Sequence, residues 1–178
     1  MTFNRSFLLA PLTLAALLCC AGNSGGHPTF QYRGSFEREV IRIELPKPGE
    51  TRGRVYFADD EASEAQFCEA SAPYVCILSR RYSIAIPKNI GPETTSWSYR
   101  DVRYEILKRG ISIEIAGTQY SDLFLIRSPA VEKLKKPSTV TLYSRRAGVI
   151  AFSQEDTGEG ALPAAFWTVS SSGFGALK

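Results

Sequence analysis

Apolar and polar residues alternate along most of this chain, and the period is two. In "VIRIEL" (40–45), Ile41, Ile43 and Leu45 fall on one side, with Arg42 and Glu44 on the other. That is the pattern of a strand with one buried face. Alternation, or a short apolar run between turn residues, recurs in "GRVYFA", "YVCILS", "YSIAIP", "DVRYEIL", "ISIEIA", "DLFLIRS", "STVTLYS", "GVIAFS" and "AAFWTVS". These runs are rich in Ile, Val, Tyr and Phe and are punctuated by Gly, Pro, Asn or Asp, so about ten strands are expected. Helical spacing is confined to two places. "DDEASEAQFCEA" (59–70) can hold two or three turns behind an Asp59 or Asp60 cap. "SPAVEKLKK" (128–136) can hold two, with Ser128 as cap, Pro129 at the first helical position, lysines at the C-terminal end and Pro137 as a stop. Short connections favour antiparallel neighbours. The expected fold is all-β, a mainly antiparallel sandwich or barrel of about ten strands with one or two short helices.

One hairpin bears on chemistry. "DVRYEIL" and "ISIEIA" flank "LKRG", and two registers keep Tyr104, Ile106, Ile111, Ile113 and Ile115 on one face. A two-residue turn sets Glu105 against Glu114, a paired-acid arrangement. A four-residue loop from Leu107 to Gly110 sets Arg103 against Glu114. Opposite charges across strands help by about 0.2–1 kcal/mol and like charges cost as much. The longer loop also needs positive φ only at Gly110. The expected register therefore pairs Arg103 with Glu114 and dissolves the acid pair.

The N-terminal segment breaks the strand pattern. Arg5 precedes an apolar run, Phe7 to Ala21, which Pro11 interrupts. That run is shorter than the ~20 residues of a spanning helix and suits an export signal. Two fates compete. Cys19-x-Ala21 suits ordinary cleavage after Ala21. Leu17-Leu18-Cys19-Cys20 resembles a bacterial lipoprotein signal, which implies lipid attachment at Cys20, although Cys19 stands where such signals carry a small residue. The expected organisation is a signal over 1–20, a flexible spacer over 21–28, a single β domain over 29–172 and a flexible tail over 173–178, where "SSGFGALK" is Gly-rich. The expected location is the periplasmic side of the cell envelope, lipid-anchored, with a soluble periplasmic or secreted product as the alternative.

Composition narrows the chemistry. The chain has 178 residues and a formal charge of +3. Such a small excess, with no basic run interleaved with aromatics, does not suit nucleic acid. Outside the signal there are two cysteines, Cys68 and Cys76, and in an exported chain a lone pair is expected as a disulfide. The single histidine is His27, in the spacer. Mechanisms that rely on a scaffold-held histidine, and zinc sites built on histidine, are therefore not expected. No phosphate-cradling or nucleophile-elbow motif occurs. "DDE" (59–61) lacks the spacing of a calcium loop. No catalytic residue, metal or cofactor is assigned.

Two sets of residues remain as binding candidates. Trp97 and Tyr99, with Tyr104, Arg100 and Arg103, suit a ledge for a sugar or an anion. Basic pairs at expected turns, Arg80-Arg81, Lys108-Arg109 and Arg145-Arg146, would make a positive rim if they gathered at one end of a barrel. The expected function is a non-catalytic binding or structural role toward an envelope protein or an anionic envelope polymer. The alternative is an envelope hydrolase that uses carboxylates or tyrosines.

Overall fold

The computed structural model describes residues 28–35, 40–57, 62–79, 82–131, 138–154 and 164–177. They form one 12-stranded antiparallel sheet. The first six strands are β1 (Thr29–Gly34), β2 (Val40–Glu44), β3 (Arg52–Tyr56), β4 (Ala62–Phe67), β5 (Tyr74–Leu78) and β6 (Ser83–Pro87). The second six are β7 (Ser96–Tyr99), β8 (Val102–Ile115), β9 (Thr118–Ser128), β10 (Thr139–Ser144), β11 (Gly148–Gln154) and β12 (Ala164–Thr168). Each half is a meander, and the halves join where β1 pairs with β12, Tyr32 opposite Thr168 and Gly34 opposite Phe166.

The sheet curls until its outer strands, β6 and β7, approach each other. Side chains close that seam. The Trp97 indole N–H donates to the Ala85 carbonyl at 2.7 Å, and Tyr99 packs on Tyr74 at 4.9 Å between ring centroids. The result is a nearly closed barrel with an aromatic interior. Tyr32, Tyr82, Tyr104 and Tyr143 are fully buried beside Ile41, Ile43, Ile77, Ile86 and Ile126. Tyr82, Phe152 and Phe166 stack in series, with Tyr32 edge-on to Phe152. Offset and edge-on rings of this kind are worth about 0.5–1.5 kcal/mol per pair beyond their buried area.

Three expectations are corrected. Residues 62–67 are a strand, not a helix. Ala65 and Phe67 point inward, and Glu64 and Gln66 face Arg54 and Arg52 across β3. Pairing with β3 overrides the helical preference of Ala and Glu. The second expected helix is absent from its described part, where Ser128 ends β9 and Val131 makes an isolated bridge; residues 132–137 lie outside the described residues. Among the described residues there is no helix at all.

The hairpin at Leu107–Gly110 does not exist, and β8 runs straight through it for 14 residues. Its ladder to β9 shifts register between Ile106 and Ile113, so Gly110, at φ 62°, serves a bulged strand rather than a turn. The chain turns instead at Ala116 and Gly117, with φ 49° and 79°. Two positive φ values are what a two-residue hairpin of type I′ requires. Arg103 faces Ser98, and Glu114 faces Gln119. Glu105 faces Arg127, whose Nε donates to Glu105 Oε1 at 2.6 Å.

The third correction concerns the C-terminal residues. Gly173 to Leu177, expected as a flexible tail, lie against β10 and β11 as an added strip. Gly173 N donates to Ala147 O, Val149 N to Phe174 O, and Leu177 N to Arg145 O, all at 2.7–2.8 Å. Two buried tyrosines latch the strip. Tyr32 accepts from Phe174 N at 2.8 Å and donates to Val149 O at 3.0 Å. Tyr143 donates to Gly175 O at 3.2 Å. Gly173 is needed for this approach, since a Cβ there would sit 1.7 Å from Val149 O.

Candidate functional site

In a meander every second turn falls at the same end of the strands. The β2–β3, β4–β5, β8–β9 and β10–β11 turns therefore share one end with the close of β12. Two large clefts open there among the described residues; Phe174 of the latched strip lines one, and Ser171, just before the strip, lines the other.

The first is an apolar groove of about 610 Å³ between the β2–β3 and β4–β5 turns. Leu45, Phe67, Tyr74, Val75 and Phe174 line it, together with the Cys68–Cys76 pair. The two sulfurs lie at disulfide distance, with Cα atoms 5.1 Å apart. Lys47, Lys88, Glu50 and Glu69 also line it, cations and carboxylates in equal number.

The second cleft, about 660 Å³, is lined mostly by polar and charged residues. β9 gives Thr118, Gln119, Tyr120, Ser121, Asp122 and Phe124, and the β10–β11 turn gives Ser144, Arg145, Arg146 and Ala147. The turn holds its shape because Ser144 Oγ accepts from the backbone N–H groups of Arg146 and Ala147, at 3.3 and 3.4 Å. A serine hydroxyl bonding the backbone two and three residues on is a common way to fix a turn. Gly148, at φ 80°, then returns the chain to β11. On the facing strand, Asp122 has φ 54° where the β8–β9 ladder shifts register. Aspartate tolerates this region better than most side chains. Burial pushes the Tyr143 hydroxyl up to about 12, opposed by the nearby Arg145 charge. Among the described residues neither Arg145 nor Arg146 forms a salt bridge.

The remaining candidates are scattered. Arg80 and Arg81 lie outside the described residues, and their neighbours Ser79 and Tyr82 stand at the opposite end of the strands from Arg145. Lys108 and Arg109 are inside β8, not at a turn. The Arg109 guanidinium donates to the Thr94 carbonyl. Lys108–Arg109 and Arg145–Arg146 therefore do not make one rim of turns. Trp97 stacks on Tyr104 at 5.5 Å, and the Tyr99 hydroxyl lies 3.5 Å from Cys68 Sγ, so both rings are engaged in closing the seam. Cys20 lies outside the described residues. Among the described residues, no group of three or more His, Cys, Asp or Glu comes together as metal ligands would.

Sequence reasoning found Arg145 and Arg146 but missed what surrounds them. Ser144 stands before "RRAG" as a turn-fixing residue, and that signal was readable. Asp122 was not, because its place depends on a bulge that no local pattern announces. Compared with protein-family models, curated proteins and solved structures, the chain gives no match.

Proposed function

We propose that this chain is an exported, lipid-anchored β domain of the cell envelope that acts by binding an anionic partner rather than by catalysis. The observation that carries the reading is the pair Arg145 and Arg146, held on a serine-fixed turn, lining a cleft, and without a carboxylate in salt-bridge contact among the described residues. Guanidinium groups that meet no carboxylate among the described residues of a concave site suit a carboxylate or phosphate ligand, which they grip with two parallel hydrogen bonds. The titratable groups agree with a binding role. Burial raises the hydroxyls of Tyr32, Tyr82, Tyr104 and Tyr143, so these phenols stay protonated near neutral pH and make poor nucleophiles or bases. Glu105 is committed to Arg127. Attachment at Cys20 would keep the domain at the membrane surface, and the intact mass of membrane-extracted protein would show a diacylglycerol adduct on that residue.

The test is capture of envelope components by the wild-type chain and by Arg145→Ser/Arg146→Ser. Capture should fall in the variant. In the wild type it should weaken as ionic strength rises from about 0.01 to about 0.1 M, which shortens the screening length from about 30 to about 10 Å. Capture that ignores both changes overturns the reading.

A further inference from the structure

The anionic reading leaves most of the polar cleft unexplained. We infer that the cleft binds an acidic oligosaccharide, that is, a hydroxyl-rich sugar chain bearing an occasional carboxylate or phosphate. The inference rests on the anion-binding reading and adds the ligand class.

Size speaks first. At ~30 Å³ per water, a cleft of about 660 Å³ holds roughly twenty waters. A single phosphate would fill little of it, whereas the volume lies well inside the ~300–1,000 Å³ range of organic ligand sites.

The lining speaks next. Asp122 lines the same cleft as the two arginines, together with the hydroxyls of Thr118 and Ser121 and the amide of Gln119; Ser144 and Ser171 add two more hydroxyls. Groups that both donate and accept suit a partner that does the same, and sugar hydroxyls do. Phe124 lines the same cleft and offers a half-buried apolar ring to a sugar face. Tyr120 is buried beside it, its hydroxyl donating to the Ser170 carbonyl at 3.1 Å.

Asp122 separates this ligand from other anions. A densely charged chain, such as a polyphosphate or a nucleic acid, would set phosphates against that carboxylate. A sparsely charged sugar can place its one acid group on Arg145 and Arg146 and a hydroxyl donor on Asp122. Mixed charge across one cleft thus selects for sparse charge in the ligand.

The experiment is calorimetric titration of the full chain with three probes, namely sialyllactose (a trisaccharide with one carboxylate), maltotriose and inorganic phosphate. Sialyllactose should bind, while maltotriose, of the same length but neutral, and phosphate alone should each bind about tenfold or more weakly. Arg145→Ser/Arg146→Ser should weaken sialyllactose by about tenfold or more, the scale of lost charge-assisted hydrogen bonds. Asp122→Asn keeps a residue type that tolerates positive φ. It should weaken sialyllactose and strengthen phosphate, opposite signs that a folding defect does not produce. Equal binding of sialyllactose and maltotriose, phosphate binding as tight as sialyllactose, or no sialyllactose binding overturns the sugar assignment. If any of these occurs while envelope capture still depends on Arg145 and Arg146, the anion-binding reading stands and only the sugar falls.

Discussion

The groove beside Cys68–Cys76 and the cleft beside Arg145–Arg146 are nearly equal in volume, about 610 and about 660 Å³. They open at the same end of the strands and adjoin one stretch of chain, residues 171–174. Their linings differ. The groove is lined by the Leu45–Thr51 loop and by Phe67, Val75 and Phe174, and its two lysines are equalled in number by its two glutamates. The cleft brings two arginines, without salt bridges among the described residues, together with one aspartate and five hydroxyl side chains. Volume therefore does not choose between them. A concave apolar surface accepts many occupants weakly, whereas fixed, unmatched polar groups reject most and keep a few.

The largest expected effect strikes what the two clefts share. Tyr32 and Tyr143 latch the C-terminal strip from inside the core, and burial raises both hydroxyls above 10.0, along with those of Tyr82 and Tyr104. Below pH 10 the folded and unfolded states hold these protons equally. Above it the unfolded chain releases them first, so it binds fewer protons and stability falls as pH rises. For Tyr143 the window runs from pH 10 to about 12. Each tyrosine held protonated costs about 1.4 kcal/mol per pH unit in that range. Denaturant melts at increasing pH should stay level up to pH 10 and then drop steeply, with the absorbance of these four of the eight tyrosines appearing only together with unfolding. More than four tyrosinates at full stability would mean that the phenols are not sealed and the strip is not latched.

Phe174 tests the strip from the groove side. It is 6% exposed and meets Phe30 and Phe67 edge-on at 6.2 and 5.7 Å. Phe174→Ala should cost about 3–5 kcal/mol, the usual scale for emptying a buried aromatic site, and lower Tm by about 10 °C. A loss under about 1 kcal/mol would restore the view of residues 173–178 as a tail.

Cys68 and Cys76 bear on the groove alone. In the chain-entropy picture, closing a loop of about eight residues adds roughly 2.5 kcal/mol. Cys68→Ala/Cys76→Ala should lose about that much and leave Arg-dependent capture unchanged. Peptide mapping without reductant should recover both cysteines in one linked fragment, and free thiols on fresh protein would refute the bridge.

The strands that alternate cleanly were legible in the sequence. "VIRIEL" became β2, because inward Ile and outward polar residues leave one register that buries the apolar face, and "YSIAIP" became β6, buried on both faces from Ile84 to Pro87. What failed was whatever depends on distant partners. "ASEAQF" is a strand because β3 offers Arg52 and Arg54 to Gln66 and Glu64, and its own residues prefer helix. "LKRG" carries turn residues, yet β9 pairs through it and takes up the surplus in bulges. "SSGFGA" is glycine-rich because backbone must approach Val149 closely, not because it is loose. Of the candidate site, the arginines could be read locally. The cleft around them could not, since it needs β9, the β10–β11 turn and the strip brought together.

The smallest expected change in stability separates the two clefts most cleanly. Arg145 and Arg146 are exposed, and the bonds that hold their turn are made by Ser144 Oγ and by the Arg145 carbonyl. Replacing both side chains with serine leaves those bonds in place and should move stability by no more than about 0.5 kcal/mol. Lys47 is equally exposed on the loop that walls the apolar groove. Lys47→Trp should obstruct that groove from its rim at a similarly small cost. If ligand choice follows unmatched charge, the arginine variant loses anion capture and the tryptophan variant keeps it, although the two clefts have nearly the same volume. The reverse result, with capture lost in Lys47→Trp and kept in Arg145→Ser/Arg146→Ser, would make the apolar groove the site. The arginines would then be solvated turn residues whose charge keeps that end of the barrel soluble.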